Sequence, residues 1–235
     1  MSLILKNILF LDIETVSAYA DFEQVPKRMQ ELWLKKAKTL RNTELSHEEL
    51  YFERAAIFAE YGQVLCIGVG AFYDVKNMKF KAKIIAEKTE KETLLRLKTI
   101  LDEHHAKEDI VLCAHNGKEF DFPYLSRRML INGIKLPYCL DNSSKKPWEI
   151  FHLDTLEFWK FGDYKHFTSL DLLAAIFDIP SSKSEIDGSQ VNHTYYIEND
   201  QDKINRYCVQ DVVVLAQLYL KLNNLPLMLD EHIMY

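Results

Sequence analysis

The sequence predicts an α/β fold, with a mixed five-stranded sheet and helices on both of its faces. An apolar run at residues 8–13 is typical of a strand that is buried on both faces. Two further apolar segments, at 63–73 and 78–86, are separated by a short turn, which predicts an antiparallel pair. Helical and short apolar segments then alternate towards the C-terminus, and this order gives a mixed sheet covered by helices.

The first strand is expected at residues 6–13, and a helical insertion at about 17–60 separates it from the second strand. Pro26 is well placed to begin a helix over about 26–41. Ser46 is followed three residues later by Glu49, a capping-box pattern that begins a second helix. The segment 26–41 carries six basic residues and one acidic residue, so the rest of the chain carries a net charge of −11. A solvated helix face and a surface for an anionic partner both explain this segment.

In the rest of the chain, helical and strand patterns alternate, as an α/β fold requires. Gly133 is expected to end the helix before it, since glycine favours the position after a helix. Helices are predicted over 90–105, 122–132, 168–177 and 200–222, and strands over 109–114 and 149–153, with a loop at 142–147 before the last strand.

Composition is that of an ordinary globular protein. The chain has 235 residues, of which 48% are hydrophobic and 27% are charged, so one domain over 1–235 is expected. No apolar run is long enough to cross a membrane and no signal peptide is evident, so we expect a cytoplasmic protein with no membrane association.

No CxxC pair occurs, which predicts buried free thiols at Cys66, Cys113, Cys139 and Cys208 rather than a zinc site.

Two carboxylates one residue apart, Asp12 and Glu14, interrupt the apolar first strand near its end. Residues i and i+2 of a strand point the same way, so both side chains project from one face. Two like charges beside a dry core are unfavourable unless a positive group neutralises them, and hard Mg²⁺ prefers carboxylate oxygens. A solvated acidic turn explains the pair equally well on this motif alone.

A second acidic position, Asp121, follows the short strand at 109–114. Ligand sites in open α/β sheets gather at the carboxyl ends of strands, and the loop from His115 to Asp121 lies at such an end. Asp121 as a helix N-cap, with Pro123 in the first turn, is the structural alternative. Asn116 is also explained as a turn residue, and His115 is assigned no role.

A third acidic position, Asp211, is the one charged member of the apolar stripe along the last long helix. Tyr207 lies four residues before it, so both side chains point to the same side. A carboxylate on such a face must meet a cation, a hydrogen-bond donor or a metal. A Tyr207–Asp211 hydrogen bond inside the core is the alternative.

These three sites, in this order, resemble the 3′–5′ exonucleases of the DEDD superfamily, in the DEDDy subtype that carries a tyrosine in its third motif. The resemblance covers essentially the whole chain and implies a ribonuclease H-like fold. The motif D-x-E matches Asp12 and Glu14, N-x3-F/Y-D matches Asn116, Phe120 and Asp121, and Y-x3-D matches Tyr207 and Asp211.

A further stretch is similar to predicted exonucleases related to the proofreading domain of family-B DNA polymerases. On spacing alone, a plain turn would explain Asp187-Gly188-Ser189. The similar positions are Lys183, Ile186, Asp187, Gly188, Ser189, Val191 and Tyr195, followed by Tyr207 and Cys208.

The resemblance implies a metal-dependent enzyme that removes nucleoside 5′-monophosphates from the 3′ ends of single-stranded DNA. Two divalent ions, Mg²⁺ or Mn²⁺, are implied: Asp12 would bridge both, Glu14 and Asp211 would hold one, and Asp121 would support the other through water. Tyr207 would orient the attacking water or help to remove its proton. The contacts to nucleic acid implied in the same way are those of Asn116, Phe120, Lys183 and Ser189.

Two alternatives stay open. One is a 3′–5′ exoribonuclease similar to ribonuclease D, because these motifs do not separate DNA from RNA. The other is a non-catalytic nucleic-acid-binding subunit with the same fold. The four intact acidic positions argue against this second alternative. The resemblance also suggests association with a polymerase or a repair complex, and it leaves the role of the 17–60 insertion open.

Overall fold

A computed structural model describes residues 5–40, 44–105, 110–163, 165–180 and 186–235. Within these ranges, six strands form one mixed sheet in the order β5-β4-β1-β2-β3-β6. The pairs β1–β2 and β2–β3 are antiparallel, whereas β1–β4, β4–β5 and β3–β6 are parallel. The strands are β1 (Ile8–Ser17), β2 (Gly62–Asp74), β3 (Lys79–Ile85), β4 (Val111–Ala114), β5 (Leu153–Asp154) and β6 (Ile233–Met234).

Seven α-helices of six or more residues accompany these strands in the described part of the chain, and none is long and apolar enough to span a bilayer. The predicted helices are confirmed with small shifts at their ends, and Ser46 and Glu49 do form the capping box. The helices are α1 (Lys27–Ala37), α2 (His47–Arg54), α3 (Glu90–His105), α4 (Asp121–Ile131), α5 (Thr155–Lys160), α6 (Leu170–Ile176) and α7 (Gln201–Leu222).

Two predictions about the sheet were wrong in detail. The sheet has a sixth strand, β6, whose two residues pair with β3 and are too few to show a periodic pattern. The fifth strand was predicted at 149–153, but Pro147–Glu149 forms a 3₁₀ turn and the strand is Leu153–Asp154. Its position is set by pairing with β4 at Cys113 and Ala114, which is a tertiary contact that the local sequence does not encode.

The first strand continues to Ser17 instead of ending at residue 13, so Asp12 and Glu14 lie inside it. Its alternate side chains enter two different cores. Leu9, Leu11 and Ile13 pack with residues of α3 and α4, whereas Ile8 and Phe10 pack with residues of α7. Because Asp12 and Glu14 continue the second series, both carboxylates face α7.

The helices between β1 and β2 have a small core of their own around Trp33, which is fully buried. Its indole nitrogen donates a hydrogen bond to the carbonyl of His47 in α2. Trp33 is therefore a core residue of this insertion. The basic residues Lys35 and Lys36 lie in the last turn of α1.

An ion pair between α3 and α4 fixes the orientation of the helix that carries Asp121. The guanidinium of Arg128 donates to both carboxylate oxygens of Glu90, over 2.8 and 2.6 Å. Glu90 also accepts from the backbone nitrogen of Val64 in β2. Both charged side chains are largely shielded from solvent, so removing either partner would leave an uncompensated charge.

Candidate active site

Helix α7 lies unusually close to the sheet beside Asp12. The partner of Asp12 on β2 is Gly68, and a Cβ atom there would meet Cγ2 of Val212 at 2.7 Å and the carbonyl oxygen of Cys208 at 2.9 Å. No side chain larger than hydrogen fits between the strand and the helix at this point. The close approach places Cys208 Sγ 3.6 Å from Oδ2 of Asp12 and brings Tyr207 and Asp211 to the same region.

Asp121 reaches the same strand from the opposite helix layer. Its Oδ1 accepts a hydrogen bond of 3.2 Å from the backbone nitrogen of Ile13, the residue between the two carboxylates of the first motif. Asp121 is the first residue of α4, and Phe120 occupies the N-cap position, so the predicted N-cap alternative was wrong. The side chain instead serves a long-range contact, since 108 residues separate it from Ile13.

The loop that carries the second motif is held by Asp154, which the sequence analysis missed. Its carboxylate accepts from the backbone nitrogens of Asn116 and Lys118, and it caps α5 through the nitrogen of Leu156. Asn116 adopts a positive φ of 63°, a conformation that asparagine tolerates better than most residues. An aspartate at the start of a helical segment is an N-cap signal, which could have identified Asp154.

A cavity of about 300 Å³ opens where these elements meet. Its lining includes the polar groups of Asp12, Asp171, Tyr207 and Asp211 and the apolar side chains of Phe167 and Leu170. Its size is at the low end of the range of about 300–1,000 Å³ for small-molecule sites. The cavity therefore offers both acidic groups and apolar surface to one small ligand.

Burial makes the carboxylates of this site hard to ionise. Burial first, and then the charges of Asp211 and Asp121, raises the pKa of Asp12 well above its ordinary value. Burial and the charge of Asp12 raise the pKa of Glu14 in the same way. Burial also raises the pKa of Asp121 to about 7, against the lowering effect of its backbone hydrogen bonds.

The donor set fits hard divalent cations. Carboxylate oxygens of Asp12 and Glu14 and the sulfur of Cys208 all lie within 4.8 Å of one another. Burial raises the pKa of the Cys208 thiol, so the sulfur stays protonated and is a poor metal ligand, which leaves the oxygens as donors. Among the described residues no lysine or arginine forms an ion pair with Asp12, Glu14 or Asp121, so a cation would relieve their mutual repulsion.

Without metal, this cluster is expected to make stability fall as pH rises. A carboxyl whose pKa is about 7 when folded and near 4 when unfolded binds more protons in the folded state between these values. Its stabilising contribution is complete below about pH 4 and is lost as pH rises through about 7. In the presence of a chelator, the melting temperature of the wild type should decline from about pH 5 to about pH 8 more steeply than that of Asp121→Asn. If the melting temperatures of the two proteins changed with pH in parallel, the raised pKa of Asp121 would be contradicted.

A family model described as a predicted 3′–5′ exonuclease related to the exonuclease domain of PolB matches residues 58–234. The chain belongs to this family. The match includes Asp121, Tyr207 and Asp211, whereas Asp12 and Glu14 precede it.

Curated relatives of this chain are DNA polymerase 1 of Pyrococcus abyssi and the same polymerase from Pyrococcus abyssi strain GE5 / Orsay. Each is 26% identical over 143 residues, which is 55% of this chain and 18% of the polymerase. The family B DNA polymerase from the hyperthermophilic archaeon Pyrobaculum calidifontis matches 92% of this chain and 24% of its own, with a TM-score of 0.57 at 16% identity. The chain thus spans about a fifth to a quarter of these polymerases, and the ribonuclease H-like fold is confirmed.

The positions predicted to contact nucleic acid differ in their surroundings. Phe120 packs partly buried against the core and lies 5.3 Å from the ring of Tyr124. Ser189 is exposed and hydrogen-bonds to Asp187 in a short 3₁₀ turn, and its neighbour Gly188 lines the cavity. Lys183 lies outside the described residues.

A second residue that the sequence analysis missed is Asn192, which joins three distant segments. Its Oδ1 accepts from the backbone nitrogen of Ser17 over 2.8 Å, and its Nδ2 donates to the carbonyl of Phe52 in α2. The helical insertion is thereby tied to the end of β1, three residues beyond Glu14. No local pattern in the sequence marks this contact.

Proposed function

We propose that this chain is a metal-dependent 3′–5′ exonuclease that removes nucleoside 5′-monophosphates from the 3′ ends of single-stranded DNA. The observation that carries the proposal is the meeting of three separate motifs at one place: β1, α4 and α7 bring four carboxylates and a tyrosine close together, and Asp12, Tyr207 and Asp211 line the cavity. Similarity to DNA polymerases supports DNA as the substrate. Neither polymerisation nor any other activity of a whole polymerase is proposed.

Asp12, Glu14 and Asp211 would hold two divalent ions, Mg²⁺ or Mn²⁺, with Asp121 supporting them from α4. When bound, such ions lower the pKa of a water nucleophile and stabilise the leaving 3′ oxygen in an in-line displacement. The apolar side chains of Phe167 and Leu170 would contact the base of the terminal nucleotide, with its sugar and phosphate towards the carboxylates. A terminal nucleotide must leave its stack to enter, so single strands fit best.

Tyr207 would position the attacking water through its hydroxyl. Burial, the nearby charges of Asp211, Glu14 and Asp12, and a hydrogen bond to the side chain of Asp211 raise the pKa of this hydroxyl above the ordinary value near 10. A phenol with so high a pKa stays protonated at neutral pH, so it cannot serve as the general base.

Tyr207→Phe should therefore slow turnover by roughly 10²-fold while leaving KM nearly unchanged, because only a positioning hydrogen bond is lost. Single-turnover kinetics at saturating substrate measures the effect. The pH–rate profile should keep its shape, since Tyr207 does not titrate in the working range. An unchanged rate would reduce Tyr207 to a packing role.

The decisive assay uses 5′-labelled single-stranded DNA and RNA, each with Mg²⁺, Mn²⁺ or a chelator. A ladder that shortens from the 3′ end on DNA, only when metal is present, is the expected result. Degradation of RNA alone would favour the exoribonuclease alternative, and binding without degradation would favour a non-catalytic subunit. Association with a polymerase or repair complex is a further proposal, to be tested by co-purification.

A further inference from the structure

A cluster of exposed aromatic side chains lies outside the candidate active site. The side chains of Tyr138, Trp148 and Phe151 are 69%, 76% and 82% exposed. All three belong to the connection between α4 and β5. Leaving such rings in water forgoes the gain from burying them, so the cluster indicates a surface that binds something.

Lysines accompany two of these rings. The ammonium group of Lys145 lies 5.7 Å from the centre of the Tyr138 ring, and that of Lys146 lies 5.2 Å from the centre of the Trp148 ring. Each pair presents a flat π surface beside a positive charge. Single-stranded nucleic acid presents the complementary groups, flat bases beside phosphates, and proteins bind it with aromatic rings along a basic groove.

Two adjoining grooves connect this cluster with the loop of the second motif. One, of about 340 Å³, extends from Lys118 past Arg127 to Asn142, and the other, of about 390 Å³, extends from Asn142 to Lys145 and Phe151. Among the described residues, no carboxylate lines either groove, although the chain has a net charge of −6. Lys118 is paired with Glu157, whereas Arg127 and Lys145 give the two grooves positive charges that a polyanion would match.

Lys118, which lines the near groove, belongs to the loop of the second motif, whereas Lys145 and Phe151 line the far groove. A strand whose 3′ end occupied the active site would reach the far groove only if it extended beyond the terminal nucleotide.

We propose that Tyr138, Trp148 and Phe151, with Lys145 and Lys146, form a stacking platform for the upstream part of a single-stranded nucleic acid. The inference rests on the proposed function for the direction of the strand. The platform binds without base preference, because every base has a π face. It adds affinity to long substrates and none to short ones.

The test compares the wild type with Trp148→Ala/Phe151→Ala on single strands of about 4 to about 16 nucleotides, the range bound by comparable grooves. Stacking contributes about 1–3 kcal/mol per base, so the variant should raise KM for the longest strands by roughly 5- to 100-fold. It should leave kcat, and KM for the shortest strands, unchanged. The matched control is Tyr73→Ala, which removes a ring that is 56% exposed near the end of β2.

A binding measurement without turnover separates this inference from the proposed function. With chelator present, single-stranded DNA should quench the tryptophan fluorescence of the wild type more than that of Trp148→Ala/Phe151→Ala, since both proteins keep the buried Trp33 and the partly buried Trp159. Quenching by a wild type that degrades no substrate would uphold the platform and contradict the exonuclease. An active wild type whose variant keeps the same KM at every length, or is matched by Tyr73→Ala, would overturn the platform. Loss of self-association in the variant, with unchanged DNA affinity, would also overturn it and assign the surface to a second copy of the chain.

Discussion

Asp12→Asn is expected to abolish 3′ trimming while making the metal-free protein more stable. Asparagine keeps the shape of the side chain but removes the charge that would bind both ions, so we expect a loss of at least about 10³-fold in kcat. The same change relieves the repulsion that raises the pKa of Glu14, so the melting temperature in chelator at about pH 8 should rise. In a chain of this size, each kcal/mol corresponds to roughly 2–4 °C.

Adding Mg²⁺ should reverse the order of stability. The wild type gains from binding the ion, and Asp12→Asn has lost a ligand and gains much less. Asp102→Asn is the matched control, because Asp102 lies on the surface of α3, where its pair with Lys98 contributes little. It should change neither activity nor the response to metal. An Asp12→Asn protein that trims DNA at the wild-type rate would remove Asp12 from the active site.

Gly68→Ala is expected to cost both stability and activity, although Gly68 carries no chemistry. The added methyl group would meet Cγ2 of Val212 and the backbone oxygen of Cys208 closer than real Cβ contacts allow, so α7 must move away from β2. Overpacking of this kind costs about 1–3 kcal/mol. Because α7 carries Tyr207 and Asp211, a displacement of about 1 Å would also lower kcat by roughly 10²-fold.

A second substitution tests whether the contact is the cause. Val212→Ala removes Cγ2 and leaves the Cys208 oxygen in place, so Gly68→Ala/Val212→Ala should recover part of kcat relative to Gly68→Ala alone. Denaturant unfolding and single-turnover kinetics, measured on the two single variants and the double variant, give the coupling energy. Full activity in Gly68→Ala would show that the close approach of α7 is not needed for the site.

The local sequence predicted most of the helices and strands, and it predicted that Asp12 and Glu14 lie on one face of the first strand. Side chains alternate in direction along a strand, which predicts that Asp12 and Glu14 point the same way. The structure places both towards α7. The capping box at Ser46 and the stripe around Asp211 are short-range patterns that survive folding, because they act within one or two helical turns. The buried, unpaired state predicted for the four cysteines is likewise confirmed.

What depends on distant partners was not predictable in this way. The hydrogen bond from Ile13 to Asp121, the position of β5 opposite β4 and the link from Asn192 to Ser17 each join residues far apart in the chain. Their energies arise only after the elements have packed.

By itself, the sequence determined which side chains carry charge on otherwise apolar faces, because periodicity assigns each residue to a face of its own strand or helix. Only the tertiary structure decided how near those faces approach one another. That distance is set at Gly68, where the absence of a side chain lets α7 rest against β2 and brings its carboxylate to the cavity that Asp12 also lines. Packing is a property of two surfaces at once, and a pattern along one chain segment describes only one of them.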